Sequence, residues 1–194
     1  MPVSTIPSRP RYKPFELVPT ARSHLVIAEH VQDLPSPAAS AAQGKPIEFW
    51  AIVPDSRSLG AGPEGNGIET HRFRSASHLL DQLDHRLGRE HVGLHLYVLG
   101  REPFIWDVIR LAHSHGMDRD ECHPTHKGSE QRRVYCVHCR SFTENVKTNI
   151  VACSGCGAQL QVRDHFSQRL AAFMGFQVDA EVPGELPPIE EAYP

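Results

Sequence analysis

No run of about 18 consecutive apolar residues occurs in the chain, which excludes a helix built to span a membrane. Basic charge is not in excess: 20 Lys and Arg stand against 23 Asp and Glu, a formal net charge of −3. A polybasic footprint for nucleic acid or anionic lipid is therefore missing. Residues 1–22 have no apolar core and carry Pro2, Pro7, Pro10, Pro14 and Pro19, so they do not read as a secretory signal. The expectation is a cytoplasmic protein whose five cysteines are reduced thiols, with paired cysteines serving as metal ligands rather than disulfides. Catalytic signatures are missing too: no GxSxG, no Walker loop, no HExxH and no nucleophile–base pairing. These absences favour an accessory or scaffold role over a self-sufficient enzyme.

The 194 residues, 40% of them apolar, leave room for one ordinary domain and a small module. Residues 1–22 read as an extended Pro-rich arm, because five prolines remove backbone donors and block helix. A small α/β domain is expected over 23–130. Short apolar runs predict strands at 24–29 and 47–53, separated by a Pro/Ala/Ser loop at 35–46. Gly60, Gly62, Gly65 and Gly67 mark a further loop. Ser75 or Ser77 can cap a helix over 77–87, whose Leu79, Leu80, Leu83 and Leu87 share one face and which Gly88 ends. A buried strand follows at 92–99. Pro103 then suits the first turn of a second helix, with Ile105, Val108, Ile109 and Ala112 facing inward and Gly116 at its close. Alternating strand and helix predict a small parallel sheet with flanking helices.

The sharpest chemical pattern is Cys136-Val137-His138-Cys139, thirteen residues, then Cys153-Ser154-Gly155-Cys156-Gly157. Two thiolates two residues apart reach one ion from a tight turn, and two such turns complete a closed tetrahedron. Cys136, Cys139, Cys153 and Cys156 are thus the expected metal ligands of a ribbon over 131–166. Zinc is the first choice and iron the alternative, since tetrahedral S4 sites accept either. His138 reads as a surface residue and Cys122 as a buried or loop thiol. His113 and His115 lie two apart and share no helix face, so they suggest no second centre. Over 167–194 the expectation is a short helix, from Phe166, Leu170, Phe173 and Met174, and then an acidic, Pro-rich tail.

Two resemblances add to this reading. His95-Leu96-Tyr97-Val98-Leu99-Gly100-Arg101-Glu102-Pro103-Phe104, with the helix after it, resembles the last strand–helix unit of ferredoxin-reductase nicotinamide domains, and the strands at 24–29 and 47–53, the latter with Ser56, Arg57 and Ser58, match the family's first two. That family's glycine-rich phosphate loop is replaced here by Glu29-His30-Val31-Gln32-Asp33-Leu34-Pro35, and its nicotinamide-side cysteine by Leu99. A degenerate nucleotide domain, the fold kept and dinucleotide binding lost, is what this implies.

The second covers about residues 131–184. The double cysteine motif, joined to Asp164-His165-Phe166-Ser167-Gln168-Arg169-Leu170-Ala171-Ala172-Phe173-Met174-Gly175 and Val178-Asp179-Ala180-Glu181-Val182-Pro183-Gly184, resembles the small-subunit family of bacterial dimethylamine monooxygenases. The resemblance implies a hetero-oligomer that demethylates dimethylamine to methylamine and formaldehyde with NADPH and O2. Haem on one partner subunit, and FMN with a [2Fe-2S] cluster on a reductase partner, are expected. The metal role carries over to the four cysteines, and no catalytic residue carries over. The alternative from another class is a zinc ribbon that binds nucleic acid or serves as a general protein-interaction module. Against the first stands the modest basic excess of the ribbon: Arg132, Arg133, Arg140, Lys147 and Arg163 face Glu144 and Asp164.

Overall fold

The computed structural model describes residues 8–35, 44–54 and 69–194. Residues 1–7 of the expected arm, 36–43 of the Pro/Ala/Ser loop, the glycine-marked loop, and Ser56, Arg57 and Ser58 lie outside the described residues. The chain divides into two compact units, Tyr12–Lys127 and, with the segment Met1–Arg11, Gly128–Pro194.

In the first unit, strands β1 (Ser23–Ala28), β2 (Ile47–Ile52), β3 (Glu69–Phe73), β4 (Leu94–Gly100) and β5 (Cys122–His126) form one sheet in the order β3-β2-β1-β4-β5. Every neighbouring pair is parallel. Helix α1 (Ala76–Leu87) leads from β3 to β4, and α2 (Glu102–Ser114) from β4 to β5. Ser75 is the residue that caps α1, its hydroxyl accepting from the His78 amide at 3.2 Å. Leu79, Leu83 and Leu87 are buried on α1, while Leu80 lies at the margin. Helix α2 buries Phe104, Ile105, Trp106, Val108, Ile109 and Ala112, and Gly116 after it takes the left-handed φ of +84°.

The two faces of this sheet are covered differently. Both helices pack together and against the strands. On the other face, Val26, Ala28, Phe49, Ala51, Tyr97 and Leu99 form a buried cluster against which Phe15, Leu17, Val31, Leu34 and the β2 residue Ile47 pack. The proline-rich segment from Tyr12 onward therefore lies on the sheet where a doubly wound fold places helices. Its attachment is polar as well: the Val18 amide donates to Tyr97 Oη at 2.9 Å and Thr125 Oγ1 donates to the Lys13 carbonyl at 3.0 Å.

In the second unit, β6 (Arg132–Cys136), β7 (Phe142–Val146), β8 (Ile150–Ala152), β9 (Gln159–Ser167) and β10 (Ala172–Gln177) form a sheet ordered β7-β6-β10-β9-β8. The helix expected from Phe166, Leu170, Phe173 and Met174 is instead the β9–β10 hairpin. Phe166 and Phe173 are directly opposed across it, their rings edge to face at 5.0 Å between centroids. The seven-residue spacing comes from strand pairing around a turn. Ser167 builds that turn, its carbonyl accepting from the Leu170 amide at 3.1 Å, and Ala171 takes a positive φ that interrupts helix.

The expected acidic, Pro-rich tail returns in part to its own unit. Asn149 accepts from the Glu190 amide at 2.8 Å, and the Ala192 and Tyr193 amides both reach the Lys147 carbonyl. Among the described residues no helix is long and apolar enough to cross a membrane.

Candidate metal centre

Each cysteine pair sits where a strand of the second unit ends. Cys136 is the last residue of β6, and Cys153 follows the last residue of β8. From there the two turns repeat one hydrogen-bond pattern. The Cys136 amide donates to the Ser141 carbonyl and the Arg140 amide to the Cys136 carbonyl, both at 2.9 Å. In the second turn the Cys153 amide donates to the Ala158 carbonyl and the Gly157 amide to the Cys153 carbonyl, also at 2.9 Å. Arg140 and Gly157, one residue after each second cysteine, both have positive φ, +65° and +74°. Two local turns of the same geometry thus face each other.

All four sulfurs lie within 4.8 Å of one another. Cys136 and Cys156 Sγ are 3.9 Å apart, and Cys139 and Cys153 Sγ 3.5 Å. Sulfurs about 2.3 Å from a central ion stand roughly 3.8 Å apart along the edges of a tetrahedron. The separations bracket that edge and are far beyond a covalent S–S bond of about 2.0 Å. The donor set therefore fits one tetrahedral ion. Such an ion, held by Cys136, Cys139, Cys153 and Cys156, would cross-link the two turns and would have no position left for water or substrate.

Electrostatics point the same way. The Ser141 hydroxyl and then its amide hold the Cys139 thiol down to about 6. The Ala158 amide draws Cys156 down, but desolvation and the sulfurs of Cys139, Cys153 and Cys136 push it up to about 11. Cys139 and Cys156 are thus driven in opposite directions, as crowding of thiols requires. A bound divalent ion reverses this and deprotonates its ligands. Sequence reading passed over Ser141, whereas the glycines of the second motif are expected to let backbone amides point back at the sulfurs, as Gly155 does. A Cβ at Gly155 would collide with the Ser141 hydroxyl and lie 2.7 Å from its Cβ, and the Gly155 amide points at Cys153 Sγ at 3.4 Å.

The other singled-out residues lie elsewhere. His138 is exposed. Cys122 is buried in β5, and burial, with Glu121 and Asp118, pushes its thiol up to about 12, which makes it inert. His113 Nδ1 contacts the Met117 carbonyl and His115 Nε2 contacts Asp84, each at 2.8 Å. Among the described residues no other cluster of His, Cys, Asp and Glu is compact enough to hold an ion.

A histidine group that sequence reading missed lies on the arm-covered face of the first sheet. His95 Nδ1 is 2.8 Å from His123 Nε2 with the rings stacked, and His24 Nδ1 is 3.1 Å from Tyr97 Oη. Burial, then His95 and Lys13, push His123 down to about 4, and burial also lowers His24 and His95. A folded-state value below the unfolded one, near 6.5, means that the unfolded chain takes up protons first as pH falls. The first unit is therefore expected to keep this stability above about pH 6.5 and to lose it progressively towards pH 4. Trp50 and Trp106, the two tryptophans of the chain, both lie in this unit and report on it by fluorescence. The urea midpoint should fall between pH 7 and pH 4.5, and His123→Asn should flatten the fall.

A second long-range feature occupies the carboxyl ends of β1 and β4, the point where strand order reverses and where doubly wound folds bind dinucleotides. Glu29, 6% exposed, follows β1. Its Oε2 accepts from the Arg101 amide at 2.7 Å, and its Oε1 accepts from Arg101 Nε at 3.0 Å and Nη2 at 2.6 Å. A carboxylate of the chain itself sits at the start of α2, where a pyrophosphate would seek amides.

Comparison with known proteins gives the following. Residues 133–176 match the model for the dimethylamine monooxygenase subunit DmmA-like C-terminal domain, and residues 62–122 the model for its N-terminal domain. The chain is 31% identical, over 91% of its own length and 91% of the relative's, to the heme-dependent oxidative N-demethylase delta subunit of Ectopseudomonas mendocina (strain ymp). Among solved structures it is similar to the ferredoxin reductase in carbazole 1,9a-dioxygenase, at a TM-score of 0.41 and 16% identity, over 59% of this chain and 37% of that one. It is also similar to phthalate dioxygenase reductase, at a TM-score of 0.45 and 12% identity, over 68% of this chain and 46% of that one. The chain spans less than half the length of either structure.

Proposed function

Because the chain belongs to the dimethylamine monooxygenase subunit DmmA-like family, we propose that it is a zinc-loaded, non-catalytic accessory subunit of a haem-dependent oxidative N-demethylase. The observation that carries the metal role is the convergence of Cys136, Cys139, Cys153 and Cys156 on one tetrahedral position. Zinc is preferred to iron because a closed S4 site supplies structure without needing redox chemistry. The reaction served is the conversion of dimethylamine, O2, NADPH and a proton into methylamine, formaldehyde, NADP+ and water. Oxygen chemistry belongs to a haem-carrying partner, and electrons arrive through a partner with FMN and a [2Fe-2S] cluster. This chain organises those two partners so that donor and acceptor stay close.

The test is co-expression of the partner subunits with and without this chain. NADPH-coupled demethylation should fall steeply in its absence, and an undiminished rate without it would remove the required role. Metal analysis of the purified chain should give one zinc per protein and a colourless solution, whereas a coloured iron form would favour an electron carrier. The first unit should not bind NADPH, since the Glu29 carboxylate holds the amide that a phosphate would need. Titration of the purified chain should show no saturable quenching of tryptophan fluorescence up to millimolar NADPH. Micromolar affinity would overturn the assignment of this unit as a nucleotide domain that has lost its ligand.

A further inference from the structure

The second unit contains a cavity of about 950 Å³, within the range of small-molecule sites, that the metal centre does not use. Its lining includes Arg163 and His165 of β9 and Met174 and Phe176 of β10. Arg132 and Tyr193 line it as well.

Arg132 is the residue that gives the cavity a chemistry. It is a β6 residue only 3% exposed, and its guanidinium is clamped between two rings, 3.8 Å from the Phe173 centroid and 3.7 Å from that of Tyr193. Nη2 donates to Asp164 Oδ1 at 2.7 Å. Nη1 is buried and donates to nothing among the described residues. A buried cationic donor without an acceptor is costly, and the rings prevent it from turning to find one. An anionic oxygen arriving from the cavity would satisfy it. The remaining charge agrees: Arg9, Arg132 and Arg163 face Glu130 and Asp164, leaving one net positive charge before His165 is counted. Val162, Met174, Phe176 and Ala192 supply an apolar surface beside it.

We propose that this cavity is a binding site for a small organic carboxylate with an apolar body, its carboxylate on Arg132 and its body against Met174 and Phe176. A single carboxylate matches the one net charge, and a concave cavity of this size fits a free small molecule better than the flat contact typical of a protein partner. The site is independent of the subunit reading and of the metal.

The experiment uses the full-length, zinc-loaded chain with carbon-13 labelled methionine methyl groups. Met174 lines the cavity, whereas Met117 lies in the other unit and serves as an internal reference. The probes are indole-3-propionate and its uncharged amide. The acid should shift the Met174 methyl signal saturably and leave Met117 unmoved, and the amide should bind at least tenfold more weakly. Arg132→Met should weaken the acid at least tenfold. Because that change can unfold the sheet, Phe176→Glu at an exposed rim position is the second variant, also expected to cost at least tenfold with zinc content unchanged. Equal binding of acid and amide would overturn the proposal. So would a Met174 signal that responds to partner subunits and to neither probe, which would make the cavity a protein-docking face.

Discussion

Cys153→Ser should reduce the bound metal to less than about a tenth of the wild-type content after dialysis against a chelator, and should unfold the second unit. Structural zinc contributes about 10–16 kcal/mol in small metal-folded peptides, an amount a short sheet does not replace. Cys153 is buried, 4% exposed, at the start of the second turn, so its hydroxyl replacement leaves both a poor ligand and an incomplete tetrahedron. The second unit is not without a core, since Val134, Val146, Ile150, Leu160, Phe166 and Phe173 are buried. It is small, however, and in its sheet the β6–β7 and β8–β9 hairpins are hydrogen-bonded to each other only by way of β10. Metal content by mass spectrometry and the rate of proteolysis within 128–194 measure the outcome. Cys122→Ser is the control: it removes a thiol of the other unit and should leave zinc at one per chain. Retention of full zinc by the Cys153 variant would show that the quartet is not the site.

Glu29→Ala should destabilise the first unit by about 3 kcal/mol, the lower end of the range for breaking a buried ion pair, because Arg101 is partly open to water. The loss has two parts. The Arg101 amide at the start of α2 loses its acceptor, and the guanidinium loses a two-point partner. Glu29→Gln keeps an acceptor for the amide but not the charge, and should recover part of the loss. Urea unfolding followed by tryptophan fluorescence separates the two variants. A change of less than about 0.5 kcal/mol for Glu29→Ala would mean that the pair is solvated and ornamental.

What the sequence discloses depends on how local the information is. The four-cysteine cluster is legible because each pair lies within one turn, and a two-residue gap fixes how its sulfurs can point. The central strands β1, β2 and β4 are legible as apolar runs, since both of their faces are covered. The edge strands are not. Glu69-Thr70-His71-Arg72-Phe73 is mostly polar, and Pro124 sits in the middle of β5, a position open to proline because β5 pairs on one side only. The Phe166–Met174 spacing fits a helix and a hairpin equally, and the Ser167 turn decides between them. Glu29 and Arg101 are 72 positions apart, and no periodicity links them. Arg132 was one charge in a count until Phe173 and Tyr193 came to lie on its two sides.

Strand β10 is made late yet lies at the middle of its sheet, parallel to β6 and antiparallel to β9. A nascent chain that has emerged only as far as Ser167 therefore holds two separate hairpins, each bearing half of the sulfurs. During that interval an ion is what can keep them side by side, and Ala172–Gln177 then slides between them to seal the arrangement. The topology predicts metal capture first and strand insertion second, so chains made without the metal should keep an open slot, exposed to proteases and to stray strands from their neighbours.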